Sequence, residues 1–122
     1  MKAHVKTDKD GRKFAIDSCE KPCAIERGMR ILGGKWTASI LWHLKDEPVR
    51  FNDLVRMISG ASKKMISERL KHLEEHGLIL REVLDTRPLA VTYSITERGA
   101  TAIAFLDELR LWSEALDDRD ES

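Results

Sequence analysis

Residues 62–99, SKKMISERLKHLEEHGLILREVLDTRPLAVTYSITERG, constrain the fold more than any other part of this 122-residue chain. Ile66, Leu70 and Leu73 recur at the three- and four-residue steps that put side chains on one helix face. Ser62 stands where a hydroxyl can accept from the free N–H groups of the first turn, and Gly77 where a left-handed residue closes a helix. Two β-prone runs follow, residues 78–84 and 91–95, joined by a six-residue turn, 85–90. Thr96 then caps a last long helix. The order predicted is capped helix, hairpin, long helix.

The preceding segments extend this pattern. A short helix is expected over about 24–32, closing at Gly33–Gly34. The next, about 35–44, places Trp36, Ile40, Leu41 and Leu44 on one face and Trp42 on the other, so both faces are expected to be covered. Pro48 stops it. Residues 49–50 fit a very short strand, and 51–58 a third helix carrying Phe51, Leu54, Val55 and Ile58, followed by the turn Ser59–Gly60–Ala61. The final helix, about 97–116, has an apolar stripe (Ala102, Phe105, Leu106, Leu109, Trp112, Leu116) wider and longer than a small core needs. Residues 1–18, with five basic and three acidic side chains and little periodicity, read as a mobile or loosely packed arm. Residues 19–116 form one domain and 117–122 an acidic tail. The fold class expected is α+β, mostly α.

Charged residues make up 34% and aromatic residues 6%, the balance of a folded helical protein. Apolar runs fall short of the ~20 residues of a membrane span, and the polar start lacks a signal-peptide core. A cytoplasmic location with no membrane partner is the expectation. The formal net charge is zero, but its distribution is uneven. Residues 1–95 carry 18 Lys/Arg against 13 Asp/Glu, whereas 96–122 carry 3 against 8. The first part is thus mildly basic, and the acidity lies in the last helix and tail, where it can face away from phosphates.

With Ile66 inward and 100° per residue, Lys64, Ser67, Glu68 and Lys71 project outward on the fourth helix, flanked by Lys63 in its first turn. The lysines can meet phosphates, and Ser67 is short enough to let the helix approach base edges. The major groove, ~12 Å wide, admits such a helix. Arg87 at the hairpin tip can reach a phosphate or the minor groove, with Pro88 stiffening the turn. A charged outer face alone is what any surface helix shows, and Glu68, Glu74 and Glu75 weaken it. The whole order of helix, turn, capped helix and basic-tipped hairpin is that of a winged helix-turn-helix domain bound to double-stranded DNA. The DNA-facing set expected is Ser62, Lys63, Lys64, Met65, Ser67, Glu68, Lys71 and Arg87. The alternative is a winged helix used for protein–protein assembly. Catalytic residues are not expected: no nucleophile–base pair, paired carboxylates or cofactor loop stands at telling spacing.

From Cys23 to about Trp112 the chain resembles the HxlR-type transcription regulators, winged-helix proteins related to MarR. The resemblance rests on Cys23 followed by Ile31-Leu32-Gly33-Gly34-Lys35-Trp36, then Arg50-Phe51-Asn52-Asp53-Leu54. It continues through Ser62-Lys63-Lys64-Met65, Glu68-Arg69-Leu70, Leu73-Glu74 and Gly77-Leu78 to Tyr93-Ser94-Ile95-Thr96-Glu97-Arg98-Gly99. It implies a homodimer that binds an operator, with the recognition role on the helix of residues 62–76. It also implies dimerisation through terminal helices, for which Phe105, Leu109, Trp112 and Leu116 are the candidate surface. A two-fold dimer sets its recognition helices ~34–36 Å apart and prefers an inverted repeat.

Two cysteines in such a chain do not read as a structural disulfide. Cys23 precedes the first helix, where the helix dipole favours an anionic sulfur, with Lys21 and Arg27 near in sequence. The family resemblance implies a thiol switch here, thirteen residues before the tryptophan of GGKW, that senses an oxidant or electrophile. Family members often have proline after this cysteine; here Pro22 precedes it. Cys19 is a candidate resolving partner. A small-molecule effector between the dimerisation helices and the winged domain is open. No metal and no cofactor are expected. Cys19-x3-Cys23 lacks the second cysteine pair of a zinc site, and His72-x3-His76 is a pair alone. Gly33-Gly34-Lys35 lacks the hydroxyl residue and preceding strand of a phosphate loop.

Overall fold

The computed structural model describes residues 5–7, 13–15 and 23–120, with side chains over 23–116. The chain divides into two compact units, Met1–Arg30 and Ile31–Ser122.

In the first unit, β1 (Val5–Thr7) pairs antiparallel with β2 (Lys13–Ala15), with Val5 opposite Ala15 and Thr7 opposite Lys13. The arm expected over 1–18 thus holds a short ladder at 5–7 and 13–15, and its other residues lie outside the described ones. Each run is three residues long, too short for alternation to register, yet each holds β-prone residues and they flank DKDGR, rich in turn formers. Helix α1 (Ala24–Leu32) starts here, as expected, and has no buried residue.

The second unit contains α2 (Thr37–His43), β3 (Val49–Arg50), α3 (Phe51–Met57), α4 (Lys63–Glu75), β4 (Ile79–Leu84), β5 (Ala90–Ile95) and α5 (Glu97–Asp120). The strands form one antiparallel sheet in the order β3-β5-β4. Two bounds differ from expectation by more than one residue. Helix α2 begins at Thr37, not near Lys35, because Trp36 takes a left-handed φ of 77° two residues after Gly34 at φ 90°. That conformation is rare for a bulky side chain. The Trp36 ring lies against Gly60, where an added Cβ would meet it at 3.4 Å, so it packs on the turn between α3 and α4. Helix α5 runs to Asp120, so residues 117–120, three aspartates and Arg119, extend it; no glycine or proline follows Leu116 to stop it.

One core serves this unit. Ile40, Leu41 and Leu44, Leu54 and Ile58, Ile66, Leu70 and Leu73, and Leu78, Ile79 and Tyr93 come together, with Leu106 from α5. Trp42, on the far side of α2, is half-buried against this core, with Lys45 Nζ 4.7 Å and Arg110 Cζ 6.0 Å from its ring centroid. Both faces of α2 are therefore covered, as its sequence predicts.

Both ends of α4 are closed by local chemistry. Ser62 Oγ accepts from the Met65 N–H at 3.1 Å. At the other end Gly77 N–H donates to Glu74 O (2.9 Å) and Leu78 N–H to Leu73 O (3.0 Å), the paired bonds of a Schellman motif around a left-handed glycine. Thr96 joins this end to α5: its Oγ1 donates to Gly77 O at 2.7 Å and accepts from Gly99 N–H at 3.1 Å.

Candidate nucleic-acid interface

Helix α4 is held so that one face stays outward. Its buried stripe fixes the inward direction, and two polar bonds fix the flank. Arg69 Nε donates to Lys35 O at 3.1 Å, and His72 Nε2 lies 3.0 Å from Ile31 O. A carbonyl can only accept, so Nε2 carries the proton there. His72 also meets the His76 ring edge-on at 4.7 Å.

The outward face carries Lys63, Lys64, Ser67, Glu68 and Lys71, all exposed, with Ser62 exposed at its start. Met65 is half-buried, so of the eight sequence-selected residues it is the one turned partly toward the protein. Arg87 is exposed in the loop between Leu84 and Ala90. That loop has five residues rather than six, since Ala90 pairs with Leu84. Thr86 Oγ1 donates to Pro88 O at 2.7 Å across it.

Between the β3–α3 segment and the hairpin, with Ser67 of α4 at its edge, lies a groove of about 840 Å³ that the sequence does not announce. Ser67 lines one side, and Arg81 and Tyr93, cross-strand partners on β4 and β5, line the other. Arg50, Arg56 and Arg87 line it further on. A shallower hollow, sharing Ser67, Arg81 and Tyr93, continues to Lys71 and Glu74. Arg56 is paired with Asp53. One signal for Arg81 was present: it stands two residues from buried Ile79, in phase with the core face of its strand, where a charge is unusual. Arg50 and Arg56 gave no such signal, because they reach the groove from two different elements.

On α5, Leu106 enters the core while Phe105, Leu109, Trp112 and Leu116 remain 50%, 42%, 62% and 38% exposed. Cys23 is a free, exposed thiol directly before α1; Cys19 lies outside the described residues. Among the described residues, no helix is long and apolar enough to cross a membrane.

The model of the HxlR-like helix-turn-helix family matches residues 31–121. The chain belongs to this family. The match covers the second unit and leaves Cys23 outside it. Among curated relatives, the HTH-type transcriptional regulator YodB of Bacillus subtilis is 36% identical over 90 residues, covering 74% of this chain and 80% of YodB. YodB has been solved in a reduced form, with a TM-score of 0.68 and 35% identity over 77% of this chain and 93% of YodB, and also quinone-bound and diamide-treated. The redox regulator HypR in its reduced form has a TM-score of 0.74 and 32% identity, covering 80% of this chain and 95% of HypR; its oxidised form is also similar. A structure assigned to the MarR family, from Porphyromonas gingivalis W83, has a TM-score of 0.74 and 31% identity, covering 80% and 96% of the two chains. This HxlR-like chain is thus a transcriptional regulator with a helix-turn-helix fold, of the winged type that MarR-like proteins share.

Proposed function

We propose that this regulator binds double-stranded DNA as a homodimer and acts in the cytoplasm, without enzymatic activity, by occupying an inverted-repeat operator as a repressor. The observation that carries the reading is the exposed face of α4, Lys63, Lys64, Ser67, Glu68 and Lys71, on a helix whose rotation is fixed from inside, beside a hairpin bearing Arg87. Lys63, Lys64, Lys71 and Arg87 meet phosphates, while Ser67 and Glu68 face base edges. Ser62 and Met65 set the first turn of α4 against the DNA backbone. Two copies pair through Phe105, Leu109, Trp112 and Leu116, an exposed apolar row that a two-fold partner would cover.

Cys23 is the sensor in this reading. Its thiol is free and exposed, and the quinone-bound and diamide-treated forms of YodB show the reagents to try. A quinone adds the sulfur as a thioether. Diamide takes two thiols to a disulfide and is itself reduced to the hydrazine. Either product changes the bulk at the start of α1 and shifts the population of the DNA-competent dimer.

The test selects duplexes from a random-sequence pool with the wild-type protein, then measures affinity for the most enriched duplex with and without diamide, for wild type and Cys23→Ser. The expected result is an enriched inverted repeat whose binding changes on oxidation in wild type and not in Cys23→Ser. A pool that yields no enriched duplex sinks DNA binding and leaves an assembly module. Identical wild-type binding before and after diamide removes Cys23 from the account.

A further inference from the structure

The outward face of α4 and the hairpin tip leave unexplained the groove beside them, lined by β3, α3 and the hairpin. Three of its arginines differ from the other described arginines of the second unit. Arg69, Arg98 and Arg110 donate to chain carbonyls or carboxylates, and within the groove Arg56 is spent on Asp53. Among the described residues, the guanidinium groups of Arg50, Arg81 and Arg87 have no hydrogen bond or ion pair. These three guanidinium groups come from β3, β4 and the hairpin loop, yet they line one concave surface.

A guanidinium without a partner costs nothing in open water. Three converging on one hollow repel each other, however, and gain by sharing an anion. Asp53 is already paired, and Glu74 stands at the opposite end beside Lys71, so neither neutralises them. Ser67 has a small side chain at the point the two hollows share, and the floor there is the buried Tyr93. The two hollows thus adjoin at Ser67, Arg81 and Tyr93, with Lys71 lining the smaller and Arg50 and Arg87 the larger. Its form is that of a track for a chain of anions.

We propose that one strand of the DNA backbone runs along this groove, with Arg81 and Arg50 each holding a phosphate. Arg87 then marks where the strand leaves. The proposal rests on the DNA-binding reading and adds an anchor to it that lies neither on α4 nor at the hairpin tip. Phosphate contacts carry no sequence information, so these arginines set affinity and register and leave base preference to α4. They also tie the hairpin to the strand along its length.

The experiment uses the full-length protein and the duplex most enriched from a random-sequence pool, with affinity followed against salt concentration. Each phosphate contact contributes about 0.9 to the slope of log affinity against log salt. Arg50→Ala and Arg81→Ala are each expected to lower the slope by about 0.9, and the double variant by about 1.8, with affinity for unrelated duplexes falling in parallel. Arg81→Lys should restore most of the slope, since a point charge still meets a phosphate. Circular dichroism and thermal melting of each variant separate a lost contact from a lost fold. If Arg50→Ala and Arg81→Ala melt like wild type and keep its slope, while Lys64→Ala and Arg87→Ala lower it, the groove is not on the DNA path and the proposal is overturned. If the wild type enriches no duplex, the DNA reading falls first and the groove with it.

Discussion

Helices α4 and α5 both carry an apolar stripe, and the chain treats the two stripes in opposite ways. Ile66, Leu70 and Leu73 of α4 are at most 1% exposed, whereas Phe105, Leu109, Trp112 and Leu116 of α5 are 38–62% exposed. Folding of one copy consumes the first stripe and leaves the second for another surface, which we propose is a second copy. The largest expected effects test this contrast. Leu70→Ala should destabilise the fold by ~2–5 kcal/mol in denaturant unfolding at any protein concentration. Leu109→Glu with Trp112→Glu should leave a folded monomer in sedimentation, and its Tm should cease to rise with protein concentration as a dimer's does. A wild type that sediments as a monomer, with a concentration-independent Tm, would break the contrast.

The end of α4 and the start of α5 meet at a tight joint, and a second prediction sharpens the comparison there. A Cβ built on Gly99 in the first turn of α5 would strike the Leu78 carbonyl oxygen, a backbone atom that cannot step aside, and the Ile95 side chain. Gly99→Ala should therefore cost ~1–3 kcal/mol by overpacking, read from urea unfolding. The loss should fall on the fold and not on the affinity between copies, because Gly99 is buried and the α5 stripe starts beyond it. Unfolding unchanged from wild type would mean that this joint yields, and that α5 is less firmly set on α4 than its contacts imply.

How much could be read from the sequence follows the same division between what one element states and what several assemble. The bounds, caps and buried stripe of α4 were legible because propensity, spacing and end residues agree within the sixteen consecutive positions 62–77. Cys23, the lysines and Arg87 could be named for the same reason, since each is visible from its own neighbourhood. The start of α2 was not legible: Trp36 looks like a helix residue by spacing, and its left-handed backbone is set by packing on Gly60, 24 positions away. The β1–β2 ladder was hidden by strands too short to alternate. The groove was hidden for a third reason. Arg50, Arg81 and Arg87 lie on separate elements, and no periodicity runs through them.

The smallest effects expected are at the caps, where the two helices again differ. Ser62 Oγ makes one bond to its helix, from Met65 N–H, whereas Thr96 Oγ1 both accepts from Gly99 N–H and donates across to Gly77 O. Ser62→Ala should cost ~1 kcal/mol of stability, and Thr96→Ala more, since it unties α5 from the end of α4 as well. Equal costs would mean that the Gly77 bond adds nothing. Ser62 is also exposed at the start of the face proposed to meet DNA. If capping is its whole role, Ser62→Ala should keep the wild-type affinity for the enriched duplex at temperatures where both proteins are folded. An affinity loss there, with stability lowered by no more than a cap's worth, would place the hydroxyl on the DNA itself.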